Sequence, residues 1–234
     1  MEVSLVTVGD ELLSGHTANT NATWLARRLD ERGARLRRIS VVPDEIPAIV
    51  EVLLRHRASY DAVIITGGLG PTHDDVTIEA VAEAFDRPLE ENQEVLRWLR
   101  EEGGYTTEEL TVGTAALPAG ARPLHNDEGV APGAKVENVY VLPGVPTEMK
   151  AMFEQLREEF TGATRVRESI VVDEPESALV ERLDEVQERF DVTIGSYPGD
   201  DVVIRVIGTD ESEVEEASDW LRDRVDRALP EEEP

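Results

Sequence analysis

The stretch Asp61–Thr77 constrains the fold more than any other part of the chain. It opens with the apolar run Ala62–Ile65, whose β-branched residues predict a buried strand. Glycines and a proline then exclude regular structure, and an apolar periodicity from Val76 predicts a helix capped by Asp74 or Asp75. A strand, a glycine-rich loop and a helix N-terminus in this order predict an anion site in a βαβ protein, because backbone N–H groups and the helix dipole both favour phosphate.

Two adjacent carboxylates, Asp74 and Asp75, lie in this predicted phosphate-binding loop. Carboxylates repel phosphate, so their presence is best explained by a divalent metal ion bound between them and the phosphate. The alternative is that one aspartate caps the helix while the other is simply solvated, which is the commoner situation for an isolated glycine-rich loop. The rest of the sequence favours the interpretation with a bound metal ion.

Composition limits the class of protein. The chain has 234 residues, no cysteine and a net charge of -27, with Lys135 and Lys150 as its two lysines. A surface this acidic argues against direct binding of nucleic acid or of an anionic membrane. Neither a signal peptide nor an apolar run of membrane-spanning length is evident, so we expect a cytoplasmic protein without a membrane partner. We also interpret the charge as halophilic adaptation, because a salt-rich cytoplasm screens self-repulsion.

Apolar periodicity divides the chain into two parts. Residues 1–162 alternate between strands and helices with short connections, which predicts an α/β domain with a doubly wound, mostly parallel sheet in three layers. Residues 163–230 follow the order β-α-β-β-α, which predicts a small α+β module, and residues 231–234 form an acidic tail.

Acidic residues follow several of the predicted parallel strands. Asp10 comes after the first strand, Asp44 after the second and Asp75 after the third. Because ligands of doubly wound sheets bind outside the carboxyl ends of the strands, we expect these carboxylates to converge on one crevice. Each taken alone is more simply interpreted as a turn or cap residue, but their joint placement favours a divalent-metal site.

Four sequence blocks resemble the N-terminal part of the CinA (competence/damage-inducible protein A) family, which belongs to the molybdopterin-binding superfamily with MoaB and MogA. The blocks lie in the order and spacing of that family: Gly9–Gly15, Thr66–Thr77, Asn126–Gly133 and Leu142–Met149. The resemblance extends from the start of the chain to about residue 160. It implies the three-layer molybdopterin-binding fold, followed by a module similar to a KH domain.

The resemblance also implies an activity, the divalent-metal-dependent hydrolysis of ADP-ribose to AMP and ribose 5-phosphate. Mg²⁺ or Co²⁺ is the expected cofactor, with K⁺ as a further candidate. The metal ligands that it implies are Asp44 and Asp75. From their positions in the sequence we add Asp10 as a candidate third ligand and, if a carboxylate serves as general base beside the catalytic Asp75, Asp74 or Asp10 in that role. The expected nucleotide- and phosphate-binding residues come from the same blocks: Gly67, Gly68, Gly70, Thr72, Asn126, Gly144 and Pro146.

Two other functions remain open from the sequence. One is the binding or adenylylation of molybdopterin in cofactor biosynthesis, for which the glycine loop and the aspartates would serve equally well. The other is a non-catalytic module that binds a nucleotide or a pterin. In each case we expect a small-molecule ligand and a homo-oligomer. The nicotinamide mononucleotide deamidase domain of longer CinA proteins has no counterpart in this sequence, and residues 164–234 contain no Gly-x-x-Gly loop of the KH type.

Overall fold

The computed structural model describes residues 1–101, 114–163, 165–199 and 201–226. The chain divides into two compact units, Met1–Gly162 and Ala163–Pro234. The predicted acidic tail, residues 231–234, lies outside the described residues. No helix in these ranges is long and apolar enough to cross a membrane.

The first unit alternates strands and helices, as its periodicity predicts. In chain order its elements are β1 (Glu2–Val8), α1 (Asp10–Leu13), α2 (Thr20–Glu31), β2 (Arg35–Val42), α3 (Ile46–Ser59), β3 (Ala62–Thr66), α4 (Thr77–Ala84), β4 (Leu89–Glu91), α5 (Gln93–Glu101), β5 (Ala116–Pro118), β6 (Arg122–Leu124), β7 (Gly133–Val136), β8 (Val139–Leu142) and α6 (Pro146–Leu156). A single 3-10 turn, Arg157–Glu159, follows α6.

A six-stranded sheet in the order β2-β1-β3-β8-β7-β6 is the centre of this unit. Four of its strands run parallel to one another: β2, β1, β3 and β8. β7 is antiparallel to its neighbour β8, and β6 is antiparallel to β7. The chain leaves β1 toward one edge and later returns across it to β3, so the strand order reverses between β1 and β3. This reversal is the switch point at which doubly wound sheets bind ligands.

Helices cover both faces of the sheet, because its parallel strands are apolar on both sides. On one face, α3, α4 and α5 pack on alternate strand residues such as Val6 and Ile65. On the other face, α2 and α6 pack on the intervening residues, including Leu5 and Ile64. This confirms the predicted three-layer, mostly parallel α/β fold.

The second unit contains β9 (Val166–Val172), α7 (Glu176–Arg189), β10 (Thr193–Pro198), β11 (Val202–Gly208) and α8 (Glu211–Arg222). Its three strands form an antiparallel sheet in the order β10-β11-β9. Both helices pack on one face of this sheet around a separate apolar core that includes Ile204, Val206 and Leu221. The predicted element order of the small module is the one observed.

A candidate ligand-binding crevice

The carboxyl ends of β1, β3 and β8 enclose a cleft of about 110 Å³ at the switch point of the large sheet. Of the residues predicted to bind phosphate or nucleotide, Gly67, Gly144 and Pro146 line this cleft. Among the described residues, neither lysine nor arginine lines the cleft, whereas Glu11 does. An anionic ligand here would therefore meet backbone N–H groups and hydroxyls rather than cationic side chains.

Glycines allow the strand ends to approach each other closely. Gly67 has φ 100°, and a Cβ atom there would lie 2.3 Å from the carbonyl oxygen of Val8. Gly68 has φ 63°, and its Cβ would lie 2.4 Å from Oγ1 of Thr77. A Cβ on Gly144 would lie 3.2 Å from the Cα of Gly67. Side chains at these positions would separate the backbone segments that bound the cleft.

Only part of the loop backbone is available to a ligand. The N–H of Gly67 donates to the carbonyl of Leu142 at 3.2 Å, so it belongs to the sheet. The carbonyl of Gly68 accepts from the N–H of Thr77 at 3.1 Å, which ties the loop to the first turn of α4. Phosphate contacts from this loop would therefore come from N–H groups after Gly67.

The end of the loop is organised by Thr72 and Asp75. Thr72 donates its N–H and its hydroxyl to Oδ2 of Asp75, at 3.0 and 2.5 Å. A Cβ atom on Gly70 would lie 2.5 Å from the same oxygen. The predicted helix cap by Asp74 or Asp75 is wrong: Val76 is the N-cap of α4 and no side chain caps it. The reason is that the carboxylate of Asp75 turns back to Thr72.

Asp10 and Asp44 meet at the ends of β1 and β2. The backbone N–H of Asp10 donates to Oδ2 of Asp44 at 2.9 Å. Burial raises the pKa of the Asp44 carboxyl, and the nearby carboxylates of Asp10, Glu11 and Asp74 raise it further. Three predicted site residues, Asp10, Asp44 and Asp74, therefore share one electrostatic environment. Asp75 is held instead by Thr72.

These acidic groups fit a hard divalent cation in part. Carboxylate oxygens are the correct donors, and Asp10, Glu11 and Asp74 add negative charge around Asp44 that a cation would offset. Within the described ranges, however, no group of three or more histidine, aspartate or glutamate side chains is close enough to hold a metal ion. Mg²⁺ commonly takes one or two carboxylates plus phosphate oxygens of the substrate, and the residues present fit that mode.

Two asparagines that the sequence analysis did not single out help to shape the cleft. Asn21 lines it and donates Nδ2–H to the carbonyl of Gly144 at 2.7 Å. Asn19 caps α2 by accepting from the N–H of Ala22 and donates to Oγ1 of Thr7 at 3.0 Å. The cluster of threonine and asparagine after residue 16 was the available signal, since such residues favour caps and turns.

The predicted ligand-binding residue Asn126 is buried and bound within the protein. Its Nδ2–H groups donate to the carbonyl of Ala131 at 3.0 Å and to Oε2 of Glu148 at 2.7 Å, and its Oδ1 accepts from Glu128. A Cβ atom on Gly129 would lie 2.5 Å from the carboxyl carbon of Glu148. Asn126 therefore ties the loop after β6 to the first turn of α6.

A further polar group lies directly under the glycine loop. Thr77 is fully buried, and its hydroxyl has no hydrogen-bond partner among the described residues. It lies where a side chain on Gly68 would otherwise be. A buried hydroxyl without a partner is costly, so Thr77 places a desolvated polar group directly beneath the loop.

Comparison with known proteins agrees with this geometry. Residues 4–163 match the family model described as "Probable molybdopterin binding domain", and residues 164–232 match that of the "FAD synthase, middle domain". A protein of Archaeoglobus fulgidus is 39% identical over 93% of this chain and 95% of its own length. A protein of Pyrococcus furiosus is 38% identical over 96% of this chain and 97% of its own length.

A solved structure is similar to the first unit. It is described as the protein CinA with unknown function from Thermoplasma acidophilum. It has a TM-score of 0.63 and 34% identity, and the match covers 68% of this chain and 97% of that one. The chain therefore belongs to the molybdopterin-binding domain family and is similar to a CinA protein of known structure.

Proposed function

We propose that the crevice at the ends of β1, β3 and β8 binds a small molecule that carries phosphate, with a pterin of the molybdopterin type as the first candidate. The observation that carries this proposal is the cleft at the switch point, which Gly67 and Gly144 line together with first-turn residues of α2 and α6. The family description supports the pterin as ligand.

Binding is tested with neopterin monophosphate, AMP and ADP-ribose as probes in equilibrium dialysis at molar KCl. The variant Thr17→Trp places an indole in the cleft from an exposed lining position, and His16→Trp places one on the neighbouring exposed residue outside the lining. We expect Thr17→Trp to weaken binding at least tenfold and His16→Trp to leave it unchanged. Equal binding by both variants would contradict this location of the site.

A second candidate function is the metal-dependent hydrolysis of ADP-ribose or a related nucleotide diphosphate. It is favoured by the carboxylates around Asp44 together with the absence of basic residues from the cleft lining. A pyrophosphate placed there has no cationic side chain to neutralise it. A divalent ion held by Asp44, with Asp10 or Asp75, would supply that charge and the Lewis acidity that phosphoryl transfer needs.

The chain's own residues would then have separate roles. N–H groups of the loop after Gly67 would hold the phosphates. Asp74 is one candidate base, because its exposed carboxylate is close enough to Asp44 to raise the pKa of that group. Asp10 is the alternative base, because its carboxylate is close enough to Asp44 to raise the pKa of that group.

Hydrolysis is tested by measuring AMP released from ADP-ribose in molar KCl with Mg²⁺, Co²⁺ or chelator, and with Na⁺ in place of K⁺. Metal-dependent release of AMP that is lost in Asp75→Ala supports the hydrolase. Pterin binding without any AMP release would support the pterin-binding function and exclude the hydrolase. The two candidates are thus separated by product formation rather than by affinity.

A further inference from the structure

One edge of the small sheet differs from the other exposed edges. β2 carries Arg35, Arg37 and Arg38, β6 carries Arg122 and Pro123, and β9 carries Arg167 and Glu168. β10, the edge strand of the second unit, carries no charge, and its one proline, Pro198, is its last residue. Charges and prolines normally prevent strand addition at an edge, so β10 is unprotected over Thr193–Tyr197.

The backbone of β10 is directed toward a potential partner strand. β10 pairs with β11 on one side, with Ile194 opposite Val206. The N–H of Ile194 donates to Oε1 of Gln187 on α7 at 3.4 Å, so it points away from β11. Because N–H groups alternate in direction along a strand, that of Ser196 points to the same open side. A long hydrogen bond to one side chain is a weak substitute for a strand.

A groove of about 420 Å³ lies between this edge and α7. Its apolar lining includes Val180, Leu183 and Ile194, and the side chain of Val180 is half exposed. Ser196 also lines the groove, and its hydroxyl is buried without a hydrogen-bond partner in the described ranges. An open strand edge beside a helix, with an apolar groove between them, is the geometry in which proteins bind extended peptides by strand addition.

Charge indicates which peptide fits. Glu176 and Asp184 are the charged residues of the groove lining, and within the described part of the chain no basic residue lines it. Glu176, Val180 and Asp184 occupy every fourth position of α7, so consecutive members lie about 6 Å apart along the helix axis. Side chains on one face of an extended strand recur about every 6.7 Å. The two spacings match, so a strand along β10 presents successive same-face residues to Glu176, Val180 and Asp184.

We propose that the groove between α7 and β10 binds an extended segment of a partner protein with the pattern basic-x-apolar-x-basic. The segment adds a strand to β10 by pairing with the outward backbone groups of Ile194 and Ser196. Its apolar residue packs on Val180, and its two lysines or arginines face Glu176 and Asp184. This inference concerns the second unit alone and does not depend on the proposed function of the crevice.

The test uses the full chain and a fluorescein-labelled peptide, Ser-Lys-Thr-Val-Thr-Lys-Ser, followed by fluorescence anisotropy at fixed KCl. The control peptides replace both lysines by glutamate, or replace the residues flanking valine by proline to remove backbone donors. We expect saturable binding of the lysine peptide and at least tenfold weaker binding of both controls.

Protein variants locate the site. Val180→Glu should weaken binding at least tenfold, whereas Val171→Glu, at an exposed position on the other edge strand, should leave it unchanged. Replacement of Glu176 and Asp184 by lysine should reverse the preference to the glutamate peptide, a result that misfolding would not produce.

Equal loss in Val180→Glu and Val171→Glu, or no saturable binding of the lysine peptide, would overturn the proposal. Analytical ultracentrifugation completes the test, because a second copy of the chain is the other possible occupant of the edge. A dimer that Val180→Glu dissociates, together with absence of peptide binding, would also overturn the proposal and assign the edge to self-association.

Discussion

The backbone N–H of Asp10 donates to Oδ2 of Asp44 at 2.9 Å, which joins the ends of the neighbouring strands β1 and β2. Burial raises the pKa of this carboxyl, and negative charge from Asp10, Glu11 and Asp74 raises it further. One hydrogen bond therefore holds a carboxylate in a position that is unfavourable for its own ionisation. Such positions are common at functional sites, because function rather than stability maintains them.

Asp44→Asn is expected to abolish metal-dependent ligand binding while keeping the fold. The amide oxygen can still accept from Asp10, whereas the charge that a divalent ion needs is lost. We expect at least a hundredfold loss in Mg²⁺ affinity by isothermal titration. Asp61→Asn is the matched control, since Asp61 accepts from the N–H of Glu2 at the opposite end of the sheet. Equal loss in both variants would contradict a metal site at Asp44.

Gly67→Ala is expected to destabilise the first unit strongly. The new Cβ would lie 2.3 Å from the carbonyl oxygen of Val8, so β1 and β3 must move apart at their ends. The expected loss of unfolding free energy is about 3 kcal/mol, the sum of a left-handed backbone cost and a steric one.

The matched control for that loss is Gly15→Ala. Gly15 has φ 73°, but a Cβ atom there has nothing within 4 Å. This variant therefore carries the backbone cost alone, about 1 kcal/mol. Denaturant unfolding in KCl measures both. If the two variants lose the same stability, close packing of the loop against β1 is not what Gly67 provides.

Sequence patterns predict the fold of this chain well, because the strands of the large sheet are short apolar runs bounded by glycine, proline and aspartate. β3 and its glycine loop follow directly from Ala62–Gly70. The conformation at the end of the loop does not follow from the sequence, because the hydrogen-bond donors of Thr72 and those at the start of a helix compete for the same carboxylates. Propensity identifies Asp75 as a cap candidate, but only the folded loop decides which donor it accepts from.

The candidate site is likewise predicted in part. The glycines and carboxylates follow from strand ends and from the block resemblance. The hydrogen bond from Asn21 to the carbonyl of Gly144 joins positions 123 residues apart, so it has no local signature in the sequence. The buried hydroxyl of Thr77 also escapes sequence reasoning, because a threonine at a helix start is ordinarily a surface residue.

Molar salt is expected to stabilise the protein. The net charge of -27 produces repulsion in the folded chain, and salt shortens the distance over which it acts. We expect the melting temperature to rise by at least 10 °C between 0.1 and 2 M KCl, measured by circular dichroism. Sucrose at equal osmolality is the control for exclusion effects. A melting temperature that does not change with KCl would contradict the halophilic interpretation.

Glu159 is expected to link stability to pH. Its carboxylate accepts from Lys135 at 2.5 Å and from Tyr140 at 3.0 Å, and Arg122 donates to its other oxygen. Burial raises the pKa of this group, but these hydrogen bonds outweigh burial and lower the pKa from 4.5 to about 2. The resulting stabilisation is therefore complete above pH 4.5 and disappears as the pH falls toward 2.

Glu159→Gln should consequently reduce the unfolding free energy by about 2 kcal/mol at pH 7, since the side chain is 29% exposed and part of the full linkage is screened. The difference from the parent protein should shrink steadily between pH 4.5 and 2. Glu158→Gln is the control, because Glu158 pairs with Arg32 while its side chain is 75% exposed. A difference for Glu159→Gln that stays constant across this pH range would mean that packing of the 3-10 turn, not the carboxylate charge, holds this edge of the sheet.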